Sequence, residues 1–215
     1  MHAPLLPSIL LLFLLPGCSS APGPSGSQPP IEHALGNAAE ALHWEFTDPA
    51  AFRWTIDAGQ GCLELFAPAN HRPPHRSPLG LALLRGPELG DGTMRVQARQ
   101  TGREYPHRDL VLVFGYRDAA HFAYAHLASV ADANAHHVML VDGADRRPIT
   151  IQRTGGVVWG DGWHELELRR TGDHVEVRFD SQLVLSATTP AWRGRVGLGS
   201  FDDTGRFRAL RIEPR

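Results

Sequence analysis

The sequence predicts an all-β fold, a two-sheet antiparallel jelly-roll sandwich. Three observations point there: about a dozen short runs rich in β-branched and aromatic residues, turn chemistry roughly every eight to twelve residues, and no helices alternating with the runs. No repeat of solenoid or propeller length interrupts the pattern.

The first element is a leader. The apolar run Ile9–Leu15 is too short to span a bilayer and ends in Leu15-Pro16-Gly17-Cys18, which resembles the bacterial lipobox whose cysteine becomes a lipidated N-terminus. Residues 1–17 therefore read as a lipoprotein-type signal peptide and Cys18 as the lipidation site. Pro16 and an n-region, Met1–Pro4, without Arg or Lys keep an ordinary secretory signal as the alternative. Either leader exports the chain to the periplasm or the cell surface. With Cys18 lipidated, Cys62 has no disulfide partner and reads as a small buried hydrophobe.

Residues 18–41 follow as anchor and tether. Ser19–Pro30 holds only small residues, Pro and one Gln, and cannot offset the entropy of its own ordering, while Ile31–Leu42 carries a weak helical pattern. The folded domain is expected over 42–215.

Within it, Trp44–Phe46, Phe52–Ile56 and Cys62–Phe66 read as strands joined by tight turns. Ala67–Pro78, with four prolines, excludes regular structure and reads as an exposed loop. Leu79–Leu84 and Thr93–Gln100 resume the strands. Leu110–Tyr116 is apolar on both faces, so it belongs at the centre of a sheet covered on both sides. His121–Ser129 alternates Phe122, Tyr124 and His126 against Ala123, Ala125 and Leu127. His136–Val141 leads into the Asp142-Gly143 turn. Trp163–Arg169 and His174–Phe179 form a hairpin, and Leu183–Ala187, Arg195–Phe201 and Phe207–Ile212 close the domain.

Composition excludes several functions. The net charge of −2 leaves little long-range field to recruit nucleic acid or anionic lipid, and the 21 basic residues are all arginine, which removes Schiff-base lysines. No His, Cys or Asp spacing matches a zinc or EF-hand site, so neither a metal nor a cofactor is expected from the motifs.

Chemistry concentrates between Leu110 and Ile149, which holds four of the twelve histidines. Tyr124 and His126 share one strand face about 7 Å apart and are the catalytic candidates, as a proton-passing pair. The competing reading is an aromatic row with satisfied polar tips. Asp118 and His121 at the turn between two strands are ligand-binding candidates, although an Asp there also caps its own backbone. Asp142, Asp145, Arg146 and Arg147 form the strongest polar knot, able to hold sugar hydroxyls or a uronate carboxylate, or to be a solvated turn. Glu165 and Glu167 read as a wet outer face with cross-strand pairs rather than catalytic carboxylates. Trp159, Trp192 and Tyr105 lie near loops where they can stack on sugar rings.

The entry segment HWEF, the central FGYRDAAHFAYAHL, the WHELEL strand, the FDSQLV turn and the closing GRVGLGSFDDTGRF together resemble the concanavalin A-like lectin/glucanase jelly rolls. Within these the chain is most similar to the bacterial 3-keto-disaccharide hydrolase-like and laminin-G-like domains. The resemblance covers about Leu42 to Glu213. It implies two curved sheets that meet glycans on a concave face or its rim, as binding modules, glycosidases or lyases. The E-x-D-x-x-E strand of the retaining glucanases is absent, as are the Q-I-H and Y-x-K-x-G motifs of the alginate lyases. The resemblance also implies a structural calcium near Asp202-Asp203-Thr204, but Arg208 stands where an Asp is usual.

The expectation is an exported, lipid-anchored carbohydrate-binding jelly roll that touches the membrane through its anchor alone. The alternative is a glycan-cleaving hydrolase of the 3-keto-disaccharide hydrolase type.

Overall fold

A computed structural model describes residues 29–86 and 88–215. Cys18, the leader 1–17 and the tether as far as residue 28 lie outside the described residues.

The first strands are β1 (Ile31–His33), β2 (Trp44–Phe46), β3 (Phe52–Asp57), β4 (Gln60–Leu65), β5 (Gly80–Leu84) and β6 (Gly92–Gln100). The middle of the chain gives β7 (Asp109–Asp118), β8 (His121–Ala128), β9 (His137–Asp142), β10 (Arg147–Pro148) and β11 (Thr150–Arg153). The last are β12 (His164–Thr171), β13 (His174–Phe179), β14 (Gln182–Thr188), β15 (Arg195–Ser200) and β16 (Gly205–Pro214). Two short 3-10 turns, Ala38–His43 and Pro49–Ala51, are capped by the side chains of Asn37 and Asp48.

Two antiparallel sheets result. A nine-stranded sheet runs β11-β14-β13-β12-β6-β16-β4-β3 with β1 added on β16, and a seven-stranded sheet runs β10-β9-β8-β7-β15-β5-β2. This is a concanavalin A-like jelly-roll sandwich, the fold class expected from the strand pattern. The weak helical pattern over Ile31–Leu42 divides instead into β1 and a 3-10 turn. Ile31–His33 pairs with Leu210–Ile212, and Leu35 beyond it is fully buried, so the folded unit includes residues ahead of Leu42. Sheet pairing and core burial outweigh local propensity there.

The core lies between the sheets. Leu110, Leu112 and Phe114 of β7 and Ala123, Ala125 and Leu127 of β8 face Met94, Val96, Leu166, Leu168, Val175 and Val177. Each large aliphatic side chain buried there contributes about 1.5–3 kcal/mol. The two-residue period sends Val111, Val113, Phe122 and Tyr124 to the opposite face of the seven-stranded sheet, where they join Leu81, Leu83, Met139 and Val141 in a second buried cluster. That is why β7 is apolar on both faces.

The proline-rich segment between β4 and β5 reaches over this outer face as a strap. The Arg76 N–H donates to Asp145 Oδ1 at 2.8 Å, and the Arg146 N–H donates to the Arg76 carbonyl at 3.1 Å. Arg76 precedes β5, near one edge of the sheet order, whereas Asp145 precedes β10 at the other edge. The clasp therefore closes across the sheet. At its other end the Leu79 N–H donates to the Phe201 carbonyl and the Thr47 hydroxyl to the Leu79 carbonyl.

Candidate ligand-binding site

The site grows from the outer face of β8. Register pairs His126 with Val111 of β7 and with His137 of β9, which leaves Asp109, two residues before Val111, beside the imidazole on the same face. His126 Nε2 lies 2.5 Å from Asp109 Oδ2, with His126 4 % and Asp109 0 % exposed. A buried carboxylate needs partners, and Asp109 has them. The Ser200 hydroxyl donates to Oδ1 at 2.5 Å and the Phe201 N–H to Oδ2 at 3.3 Å.

The turn after β15 completes the network. The Asp203 N–H donates to Ser200 Oγ at 2.8 Å, and Asp203 Oδ2 accepts from the Asp109 N–H at 3.0 Å and from the Tyr105 hydroxyl at 2.7 Å. Burial pushes the Asp203 carboxyl up to about 6, against the pull of the Tyr105 hydrogen bond, and nearby Asp109 adds to the rise. Asp202 is raised as well, by burial first and by Asp109 second. The Tyr105 phenol is raised by burial and by its bond to Asp203.

Above His126 opens a pocket of about 160 Å³ lined by Arg76, Tyr105, His107, His126, Asn134, Arg146, Phe201 and Asp202. The Arg146 guanidinium lies 4.2 Å and that of Arg76 5.8 Å from the centre of the Phe201 ring. Arg146 Nη1 also donates to the Tyr124 hydroxyl at 3.0 Å. His126 Nδ1 is buried and finds no partner among the described residues.

Of the residues singled out in the sequence, the fold brings four together. Tyr124, His126, Asp145 and Arg146 meet through the strand row and the strap clasp. Tyr124 is fully buried, beneath the clasp and away from the opposite sheet, and burial raises its phenol despite the opposing charge of Arg146. Asp118, His121 and Asp142 gather at the other end of β8, about five residues and ~17 Å along the strand from His126. There His121 Nδ1 is 2.8 Å from Asp118 Oδ1, Asp118 also accepts the Ala120 N–H, and His121 Nε2 is 4.0 Å from Asp142. Arg147 is exposed on the edge strand β10. Trp159 is buried in the core rather than displayed at the rim. Glu165 and Glu167 lie on the outer face of the nine-stranded sheet, where Glu167 pairs with Arg95 at 2.7 Å.

Sequence reasoning missed Asp109, Ser200, Arg76, His107, Asn134 and Phe201. Asp109 left a faint signal, a charge opening an otherwise apolar strand. Arg76, His107 and Asn134 come from loops whose path no periodicity encodes.

The carboxylates of Asp109, Asp202 and Asp203 offer oxygens within 4.8 Å of one another, an arrangement that could hold a cation. Asp109 and Asp203, however, already accept hydrogen bonds from protein donors. Arg208 is elsewhere, stacked 4.0 Å from the centre of the Trp163 ring and bonded to Gln97 on the nine-stranded sheet.

No family model and no curated protein matches this chain in sequence. Solved structures match in fold. The carbohydrate-binding module CBM66 from Bacillus subtilis aligns with a TM-score of 0.56 at 16% identity, over 80% of this chain and 95% of that one. A Bacillus licheniformis β-glucanase aligns at 0.52 and 12% identity, over 89% of this chain and 100% of the other. A galectin-like protein of unknown function from Bacillus subtilis aligns at 0.57 and 9% identity, over 88% and 97% of the two chains.

Proposed function

We propose that this chain is an exported, lipid-anchored carbohydrate-binding jelly roll of the periplasm or cell surface. The observation that carries the binding assignment is the pocket over β8, where Arg146, Arg76, Asn134 and Asp202 converge around the Phe201 ring and His126. Donors and acceptors beside an aromatic ring suit a hydroxyl-rich ring with apolar faces. The likeness in fold to CBM66 and to β-glucanase supports the same ligand class. Affinity electrophoresis against plant, algal and bacterial polysaccharides tests it: Arg146→Ala is expected to abolish a retention that the parent chain shows. Retention of the parent on none of them overturns the reading. Anchoring rests on Leu15–Cys18 and predicts that labelled palmitate enters the parent and not Cys18→Ala.

A second reading, a hydrolase of the 3-keto-disaccharide type, is favoured by the contact between His126 and the buried Asp109. Asp109 would orient the imidazole, while His126 takes a proton from the reacting group. Tyr124, bonded to Arg146, would position that arginine. Unchanged turnover in His126→Ala would remove this reading. A cation at Asp109, Asp202 and Asp203 would be a hard, oxygen-seeking one such as calcium, with a structural role. Three carboxylates supply only part of the roughly six to eight oxygens calcium takes.

A further inference from the structure

We infer that the ligand is a sugar acid, with its carboxylate held by Arg76 and Arg146. The inference rests on the carbohydrate reading and narrows its ligand class. On the outer face of the nine-stranded sheet, Arg53, Arg95, Arg99, Arg206 and Arg211 each have a carboxylate partner at 2.5–3.0 Å. In the pocket the pattern reverses. Among the described residues neither Arg76 nor Arg146 forms an ion pair, and the one side-chain hydrogen bond of Arg146 goes to the neutral Tyr124 hydroxyl.

Both guanidiniums lie within 5.8 Å of the centre of one aromatic ring, at a pocket whose floor includes the buried His126 with its unpartnered Nδ1. Arg76 is exposed and Arg146 half-buried, and a guanidinium without an anion is matched by a carboxylate, whose two oxygens take two parallel hydrogen bonds from its planar fork. The remaining lining selects the rest of the molecule. Asp202 accepts but cannot donate when ionised, so it suits hydroxyls, and its charge opposes a dianionic phosphate about twice as strongly as a singly charged carboxylate.

A glycan array carrying glucuronate, galacturonate and mannuronate oligosaccharides tests this, each printed beside its methyl ester, a neutral counterpart and a sulfated one. Retention of at least one uronate with loss of its methyl ester is the expected result. Arg76→Gln keeps the backbone clasp and is expected to weaken uronate binding on the order of tenfold, whereas Arg72→Gln in the same strap leaves it unchanged. Equal retention of ester and acid, preference for the neutral or sulfated glycan, or an unaltered affinity in Arg76→Gln overturns the sugar-acid inference and leaves carbohydrate binding standing. Absence of retention on every glycan overturns both.

Discussion

The outward faces of the two sheets are built on opposite plans. On the nine-stranded sheet, charges of opposite sign alternate in rows: Arg53–Glu64–Arg206–Asp57–Arg99 on one side, and Arg95 between Glu167 and Glu213 on the other. On the seven-stranded sheet, the outward face is apolar along Phe122, Tyr124, Val111 and Val113, ends in the buried Asp109–His126 contact, and holds Arg76 and Arg146 without carboxylate partners. Rows of paired charges such as these have little left to offer a charged ligand. Two arginines without carboxylate partners beside a buried imidazole leave donors open to an anion, which is the basis of the sugar-acid inference.

The contrast breaks most easily at Asp109. Asp109→Ala removes the acceptor for Ser200 and for the Phe201 N–H and leaves His126 without its carboxylate, all in a nearly dry setting. Loss of one partner from a buried polar network costs about 3–5 kcal/mol. Urea unfolding is expected to show a loss of that size together with loss of glycan binding. A loss no larger than that from a surface arginine would mean that this face is no more committed than the other.

Much of this architecture was legible in the sequence because strand faces repeat every two residues. Leu110–Tyr116 announced a strand covered on both sides, and Phe122-Tyr124-His126 announced a shared face. What the period could not convey was which chain segment would cover that face. The strap from Phe66 to Leu79 looked like an exposed loop because proline forbids regular structure. Its clasp on Asp145 is a contact across 69 residues, which no local pattern encodes. β10 and β11 were invisible for a related reason: two and four residues long, they exist through pairing with β9 and β14 rather than through their own propensity. The site was half legible: its strand residues could be placed on one face, and its loop residues could not.

Asp203, beside the pocket, titrates at about 6 in the folded chain against an ordinary 3.8 when solvated, so the folded state binds more protons between those values and stability falls as pH rises from about 4 to 6. His136, buried just before β9, is lowered by burial to about 4 from 6.5, so the unfolded state binds more protons and stability rises over nearly the same window. Each shift corresponds to about 3 kcal/mol, and the two oppose. Asp203→Asn keeps an oxygen that can accept from Tyr105 and removes the falling contribution. Its thermal midpoint is expected to climb more steeply than the parent's between pH 4 and 6.5, and to exceed the parent's at pH 8. Identical pH profiles for the two proteins would show that Asp203 is not held protonated by the pocket.

The smallest effect is expected on the paired face. Arg95 and Glu167 face each other across β6 and β12 at 2.7 Å, with side chains 34% and 15% exposed. Solvent screens such a pair, and ordering two long side chains offsets part of its attraction, so a double-mutant cycle is expected to give a coupling of about 0.5–1 kcal/mol. Raising the salt should reduce it, since a partly wet pair is screened over about a Debye length. Neither Arg95→Ala nor Glu167→Ala should alter glycan retention. A coupling near that of the Asp109 network would give the paired lattice the same energetic weight as the pocket, and the difference between the faces would then reduce to the two unpaired arginines alone.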